Sequence, residues 1–358
     1  MSAGRDSLAA PAGIAVLFIC ATAGLLLWTL GEFRSRSQAA LGGMVLLGTP
    51  FFAHLSFAQY ADVPLAFFFL ATMSLLFCYS RRPDHSKDEG KDGGKDSPKG
   101  GGRERGTDGG NGNPKAGSKG DGKNLLVLAG LIAGLSAWVK NEGLVFFLAI
   151  SITYFLFSWR IDGRGDAARR LRSFAFGGAG PIVLALLFKL TFAGTNALVA
   201  TQGRAGLLRK LLMPNRYAQV LEGFGYHLYH LASWPESVLL ILAIYAVLIG
   251  VRIDRRPRVP VVGIDRRDRV PMVGIDRRDR AALLACVSTL LIMLAVYFLV
   301  LVGSPYDTPP FDVSWYILVT APRLFMQLWP CFLLVFFLTV RTPDDIIVLL
   351  RLRPSSPM

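Results

Sequence analysis

The chain has 358 residues, 52% of them hydrophobic and 24 of them Phe, with a mean hydropathy of +0.43 and a formal net charge of +14. Apolar stretches of about 17 to 22 residues recur along it, each able to cross a hydrocarbon core roughly 30 Å thick, so the composition is that of a polytopic membrane protein. The positive charge does not argue for nucleic acid: most of it lies in loops beside apolar runs, where anionic lipid and membrane orientation account for it, and no folded basic module is visible.

Hydropathy predicts nine spans, at 11–30, 39–58, 63–79, 125–139, 143–159, 173–193, 236–251, 281–302 and 323–340. The expected architecture is an all-α polytopic transmembrane helix bundle, with residues 1–80 as its first module. The leading ten residues make a poor signal peptide, since they carry no net basic charge and no small-residue cleavage site follows. His54, inside the second span, reads as a helix-to-helix hydrogen bonder. Asp62 then stands between the second and third spans, in Gln59-Tyr60-Ala61-Asp62-Val63-Pro64-Leu65-Ala66. A charge at the centre of a membrane helix costs about 2.5 to 3.5 kcal/mol on insertion scales, so a carboxylate kept this close to hydrocarbon argues for function. The bland alternative is a hairpin tip that is simply polar.

Residues 81–124 are Gly, Lys, Asp, Pro and Ser with almost no apolar side chains, and are expected to be a disordered insertion. The module 125–251 opens with Gly130 and Gly134, a small-xxx-small pair suited to close helix approach. Lys140-Asn141-Glu142-Gly143 joins the fourth and fifth spans as a second charged cluster, and Gly177, Gly178 and Gly180 precede Pro181 on the sixth. In the loop 194–235, His227 and His230 could share a helical face with Glu222 and hold a metal. The favoured reading is an interfacial amphipathic segment whose Tyr226, Tyr229 and Trp234 sit at headgroup depth. Residues 252–280 repeat Ile-Asp-Arg-Arg every eleven residues, from Ile253, Ile264 and Ile275. Pro260 and Pro271 recur in phase and break a continuous helix, leaving a basic, membrane-apposed tract suited to anionic lipid. The spans in 281–340 and a tail, 341–358, complete the chain. Cys20, Cys78, Cys286 and Cys331 lie in or at the ends of apolar runs without metal spacing and read as packing residues.

Numbering the loops alternately puts most of the 39 Lys and Arg on one side, in 31–38, 80–124, 160–172, 252–280 and 341–358. The positive-inside rule makes that side cytoplasmic, with the N-terminus outside and the C-terminus in the cytoplasm. Asp62, Lys140, Glu142, the 194–235 loop and Arg323 then all belong to the outer face.

Tyr60-Ala61-Asp62-Val63-Pro64-Leu65-Ala66, followed by Gly130-Leu131-Ile132-Ala133-Gly134-Leu135-Ser136-Ala137-Trp138-Val139-Lys140-Asn141-Glu142-Gly143, resembles the polytopic glycosyltransferases of the GT-C superfamily. The nearer likeness is to the dolichyl-phosphate-mannose protein mannosyltransferase and RgtA/B/C/D-like branch, and Arg323-Leu324-Phe325-Met326-Gln327-Leu328-Trp329-Pro330 is similar to its closing segment. The resemblance implies an integral membrane enzyme, of a bacterial cytoplasmic membrane, that transfers a sugar from a polyprenyl-phosphate donor to an extracytoplasmic glycan, lipid or protein acceptor, with inversion. It implies Asp62 as the catalytic base or metal-held carboxylate, with Glu142 assisting, and Lys140 and Arg323 as the cations that bind the donor phosphate. It makes no cofactor certain and leaves a divalent metal open.

One departure bears on catalysis. The superfamily carries a further acidic residue in a first outer loop, after a span whose N-terminus is cytoplasmic, whereas the acid before the first predicted span here is Asp6, in unlike surroundings. The expectation is that such a span and loop are missing from this sequence or supplied by a partner subunit. An inactive family scaffold and, less favoured for want of an internal repeat, a carrier lined by the buried charges are the competing readings.

Overall fold

Long runs of Leu, Ala, Phe and Val offer the backbone no partner in lipid except itself, and helices are the outcome. The computed structural model describes residues 9–57, 60–82, 120–192, 201–231, 234, 236–251, 277–307 and 312–343. Among these the regular structure is helical, joined by turns and short irregular links, with one isolated antiparallel bridge, Val251 to Val340. The helices are α1 (Ala9–Phe33), α2 (Arg36–Leu47), α3 (Pro50–Phe57), α4 (Asp62–Ser80), α5 (Gly120–Val139), α6 (Asn141–Asp162), α7 (Arg164–Thr191), α8 (Gly203–Leu211), α9 (Pro214–Tyr229), α10 (Val238–Ile249), α11 (Arg277–Val302) and α12 (Val313–Thr339). Seven of these described helices, α1, α4, α5, α6, α7, α11 and α12, are long and apolar enough to cross a membrane, which makes the chain a multi-pass helical bundle.

Two of the nine predicted spans take another form. Segment 39–58 is divided: Ser35 caps α2, accepting from the Gln38 N–H at 3.2 Å, and the helix stops at Gly48, two residues before Pro50, which lacks an N–H to continue it. Thr49 fills the gap, donating to the Val45 carbonyl at 2.7 Å and accepting the Trp329 indole N–H at 3.1 Å. Segment 236–251 holds a helix of 12 residues, α10, ended by Gly250 at φ +86°. The final span differs in its start, because α12 begins at Val313 and runs through Pro322. A proline inside a helix is tolerated where neighbours cover the backbone it disturbs, and Ile317, Ala321 and Leu324 are buried there. His54 is exposed and stacked on Phe51 at 6.0 Å, without the interhelical hydrogen bond expected of it among the described residues.

Helices α4 and α12 form the centre, and Leu65, Phe69, Met73, Trp329, Leu333 and Leu334 are all buried in one continuous apolar core, with the Phe69 ring stacked on Phe146 of α6 at 3.9 Å. Helices α7 and α10 lie outermost and expose Phe176, Leu190 and Val247, as side chains facing lipid do. The predicted pair Gly130 and Gly134 sets the crossing of α5 and α7: a Cβ on Gly130 would stand 1.8 Å from the Phe174 carbonyl oxygen and one on Gly134 2.9 Å from that of Gly178, while from the other helix one on Gly177 would stand 1.9 Å from that of Val127. Buried hydroxyl pairs, Thr29 with Ser74 at 3.0 Å and Thr153 with Thr289 at 2.9 Å, join α1 to α4 and α6 to α11. The cysteines are free, Cys286 and Cys331 buried, in keeping with a packing role.

Antiparallel succession sorts the polar groups to two ends of the bundle. One end is stitched by Arg170 to Asp162 at 2.5 Å, by Arg81 and Ser80 to Asp279 at 3.5 and 2.6 Å, and by Arg34 to the Val340 carbonyl. The other holds Asp62, Lys140, α8, α9 and the turn after α11. There α9 packs Val220 and Phe224 against the bundle, the Phe224 ring 4.6 Å from that of Phe325, and leaves Leu221, Tyr226 and Tyr229 exposed. The expected insertion, 81–124, the basic repeat, 252–280, and the tail, 341–358, lie outside the described residues except at their edges.

Candidate functional site

Asp62 opens α4, where an acid is favoured by the helix N-terminus and where Pro64, in the same first turn, has no N–H to leave unpaired. Lys140 reaches the same point from a different construction. It is the one residue between α5 and α6, extended at φ −153° and ψ 164°, so the two spans meet at a hairpin one residue long. Gly143 makes that hairpin feasible: a Cβ there would lie 2.0 Å from the Ser136 carbonyl oxygen, and its own carbonyl accepts from Ser136 Oγ at 3.1 Å. Arg323 comes from α12, one turn before Gln327 on the same face.

These side chains converge on one carboxylate. Asp62 is fully buried; its Oδ1 accepts from Lys140 Nζ at 2.5 Å and from Gln327 Nε2 at 2.6 Å, and its Oδ2 accepts from Arg323 Nε at 3.0 Å. The Tyr297 hydroxyl, from α11, donates to Gln327 Oε1 at 2.6 Å. The Arg323 guanidinium also lies over the Tyr60 ring, 4.0 Å from its centroid, a contact worth about 0.5 to 2 kcal/mol. Burying each ion costs several kcal/mol, and one pair near 4 Å returns only about 4 kcal/mol at an effective dielectric of 20. A single partner would scarcely hold Asp62 there, whereas two cations and an amide do.

The cluster carries one negative and two positive charges. Lys140 and Arg323 are both partly exposed, and among the described residues Arg323 Nη1 and Nη2 make no hydrogen bond while Lys140 Nζ makes only the one to Asp62. A planar fork and a point charge thus present spare donors outward, a combination suited to phosphate oxygens. Glu142 is in the first turn of α6, half-buried, and has no hydrogen bond or ion pair among the described residues. The geometry therefore unites Asp62, Lys140 and Arg323 and leaves Glu142 beside them.

A second cluster at this end has the opposite sense. Arg216, from α9, donates to the carbonyls of Val302, Ser304 and Tyr306 at 3.3, 3.0 and 2.8 Å and to Asp307 Oδ1 at 2.9 Å. Lys210, from α8, reaches the Ser304 carbonyl at 3.1 Å and Asp307 Oδ2 at 2.7 Å. Both cations cap the C-terminus of α11. Burial lowers the Arg216 pKa and the Asp307 carboxylate works against that. His227 is likewise lowered by burial and by His230, with the Tyr226 ring 5.3 and 4.6 Å from the two imidazoles. No group of three His, Cys, Asp or Glu side chains gathers at metal-binding distance among the described residues.

Sequence reasoning missed Gln327 and Tyr297. The signal for Gln327 was present, an amide four residues after Arg323 in an apolar helix, whereas a Tyr within the run 281–302 looks like any core aromatic. No family model, curated protein or solved structure matches the chain.

Proposed function

We propose that the protein binds the phosphate of a polyprenyl-linked sugar at the Asp62 end of the bundle and transfers the sugar to an extracytoplasmic acceptor, as a glycosyltransferase-like membrane protein. The observation that carries this reading is the outward pair Lys140 and Arg323, fixed on a buried counter-ion with donors to spare. In it the Arg-rich end faces the cytoplasm, the N-terminus of α1 is outside, and the host membrane is a bacterial cytoplasmic membrane. The bias of Lys and Arg between the two ends supports that orientation.

Transfer requires stabilisation of the departing lipid phosphate and removal of a proton from the acceptor hydroxyl. Lys140 and Arg323 serve the first need. For the second, Asp62 in this arrangement has both oxygens occupied by three donors, so its part is to hold the cations; Glu142, which has no hydrogen bond or ion pair among the described residues, is the carboxylate placed to take the proton. That same occupancy of Asp62 favours a second reading, a family scaffold that binds lipid phosphate without transferring sugar.

Reconstituted full-length protein should bind farnesyl phosphate, and Lys140→Ala or Arg323→Ala should weaken binding by about tenfold or more, the worth of one charge-assisted contact. Wild-type affinity in both variants would falsify the phosphate reading. Sugar release from a labelled polyprenyl-phosphate sugar, abolished by Glu142→Gln, separates the enzyme from the scaffold, which binds and does not release. A cysteine at Asn141 labelled from the cytoplasmic side would reverse the proposed orientation.

A further inference from the structure

We infer that Gln327 and Tyr297 are the positioning residues of the cationic pair: they hold the Asp62 carboxylate in the orientation that keeps Lys140 and Arg323 facing outward. The inference rests on the phosphate reading for its consequence in binding, while its geometry stands apart from it. Gln327 is fully buried and Tyr297 nearly so, and neither side chain's polar end faces solvent.

The direction of the relay follows from what each group can do. A carboxylate without a proton only accepts, so the Gln327 amide must turn its NH2 to Asp62 and its oxygen away. That oxygen, turned away from Asp62, accepts from the Tyr297 hydroxyl at 2.6 Å, which satisfies it in the core. Three helices are thereby keyed in order, α11 through Tyr297, α12 through Gln327 and α4 through Asp62.

A neutral donor at this point has two effects that a cation or an acid would not. It takes the second lone-pair position of Oδ1, beside the one that Lys140 Nζ occupies at 2.5 Å, and so fixes the side from which Lys140 approaches the carboxylate. It also leaves the cluster with one net positive charge. An acid at 327 would cancel that charge, and an apolar residue would leave Oδ1 to Lys140 alone. A merely satisfied core amide would need no such register, yet Gln327 lies one turn from Arg323 and both bond the same carboxylate, one oxygen each.

The test uses full-length protein in nanodiscs with Gln327→Met, Gln327→Glu and Tyr297→Phe. The measured quantities are the acylation rate of Lys140 by an amine-reactive ester, with Lys189, in the last turn of α7 and bonded to the Ala137 carbonyl at 3.4 Å, as internal reference, and affinity for farnesyl phosphate. Gln327→Met should slow Lys140 acylation relative to Lys189 and weaken farnesyl phosphate binding by about tenfold, with Gln327→Glu weaker still and Tyr297→Phe about threefold. Tyr297→Phe keeps the ring that fills the core, so it reports even if the Gln327 variants do not fold. Unchanged Lys140 acylation in Tyr297→Phe and in whichever Gln327 variants fold overturns the inference. If acylation slows as expected while Lys140→Ala binds farnesyl phosphate normally, the positioning role stands and the phosphate reading falls.

Discussion

Asp62 and Asp307 lie at the same end of the bundle, and each sits between one Lys and one Arg, but the two clusters are turned inside out. At Asp62 the acid has no exposed side-chain surface while Lys140 and Arg323 are 22% and 32% exposed. At Asp307 the acid is 52% exposed while Lys210 and Arg216 are 5% and 7% exposed. The buried cations also spend their donors on carbonyls at the end of α11, whereas those at Asp62 keep theirs. Identical charge composition therefore serves two purposes. A cation turned inward stitches a helix end; a cation turned outward on a buried anchor remains able to meet an anion from outside.

Substitutions can break this contrast, and the largest effect is expected at its most buried point. Asp62→Ala leaves two cations without their counter-ion and should destabilise the bundle by about 3 kcal/mol, read by titrating the purified protein with SDS in mixed micelles. A loss well under 1 kcal/mol would mean that Lys140 and Arg323 simply turn to water, and that the anchor was not one. Next comes Arg216→Met, which strips donors from three carbonyls and a carboxylate; about 2 kcal/mol should be lost in the same titration, with farnesyl phosphate affinity unchanged. If affinity falls with stability, the two clusters are coupled and the contrast is weaker than their geometry suggests. Asp307→Asn should have the smallest effect, below about 1 kcal/mol, because its charge is half in water.

The sequence made the bundle legible because hydrocarbon thickness and apolar run length are nearly one quantity. It located Asp62, Lys140 and Arg323 because charges in such company stand out, and alternation of loops predicted that they share an end, as their contacts bear out. The glycines on α5 and α7 were also readable, since only a missing side chain explains their spacing. Other features depended on partners that a single stretch of sequence does not reveal. The break at Thr49 is pinned by Trp329, far along the chain, and Tyr297 becomes polar in role only through Gln327. Hydropathy sums erased both. His54 misled because a histidine in an apolar run suggests a bond, while α3 turns that position outward.

The one-residue hairpin at Lys140 has a dynamic consequence. With both neighbours committed to helices and Gly143 lodged against Ser136, the backbone under this amine has almost no room to swing. Only the four carbons of its stem can adjust, so a visitor must come within a few ångströms along a fixed approach. Under the proposed function, a lipid-borne headgroup arriving sideways through the bilayer would meet that demand: its tail would stay dissolved among acyl chains and set the depth at which its head travels.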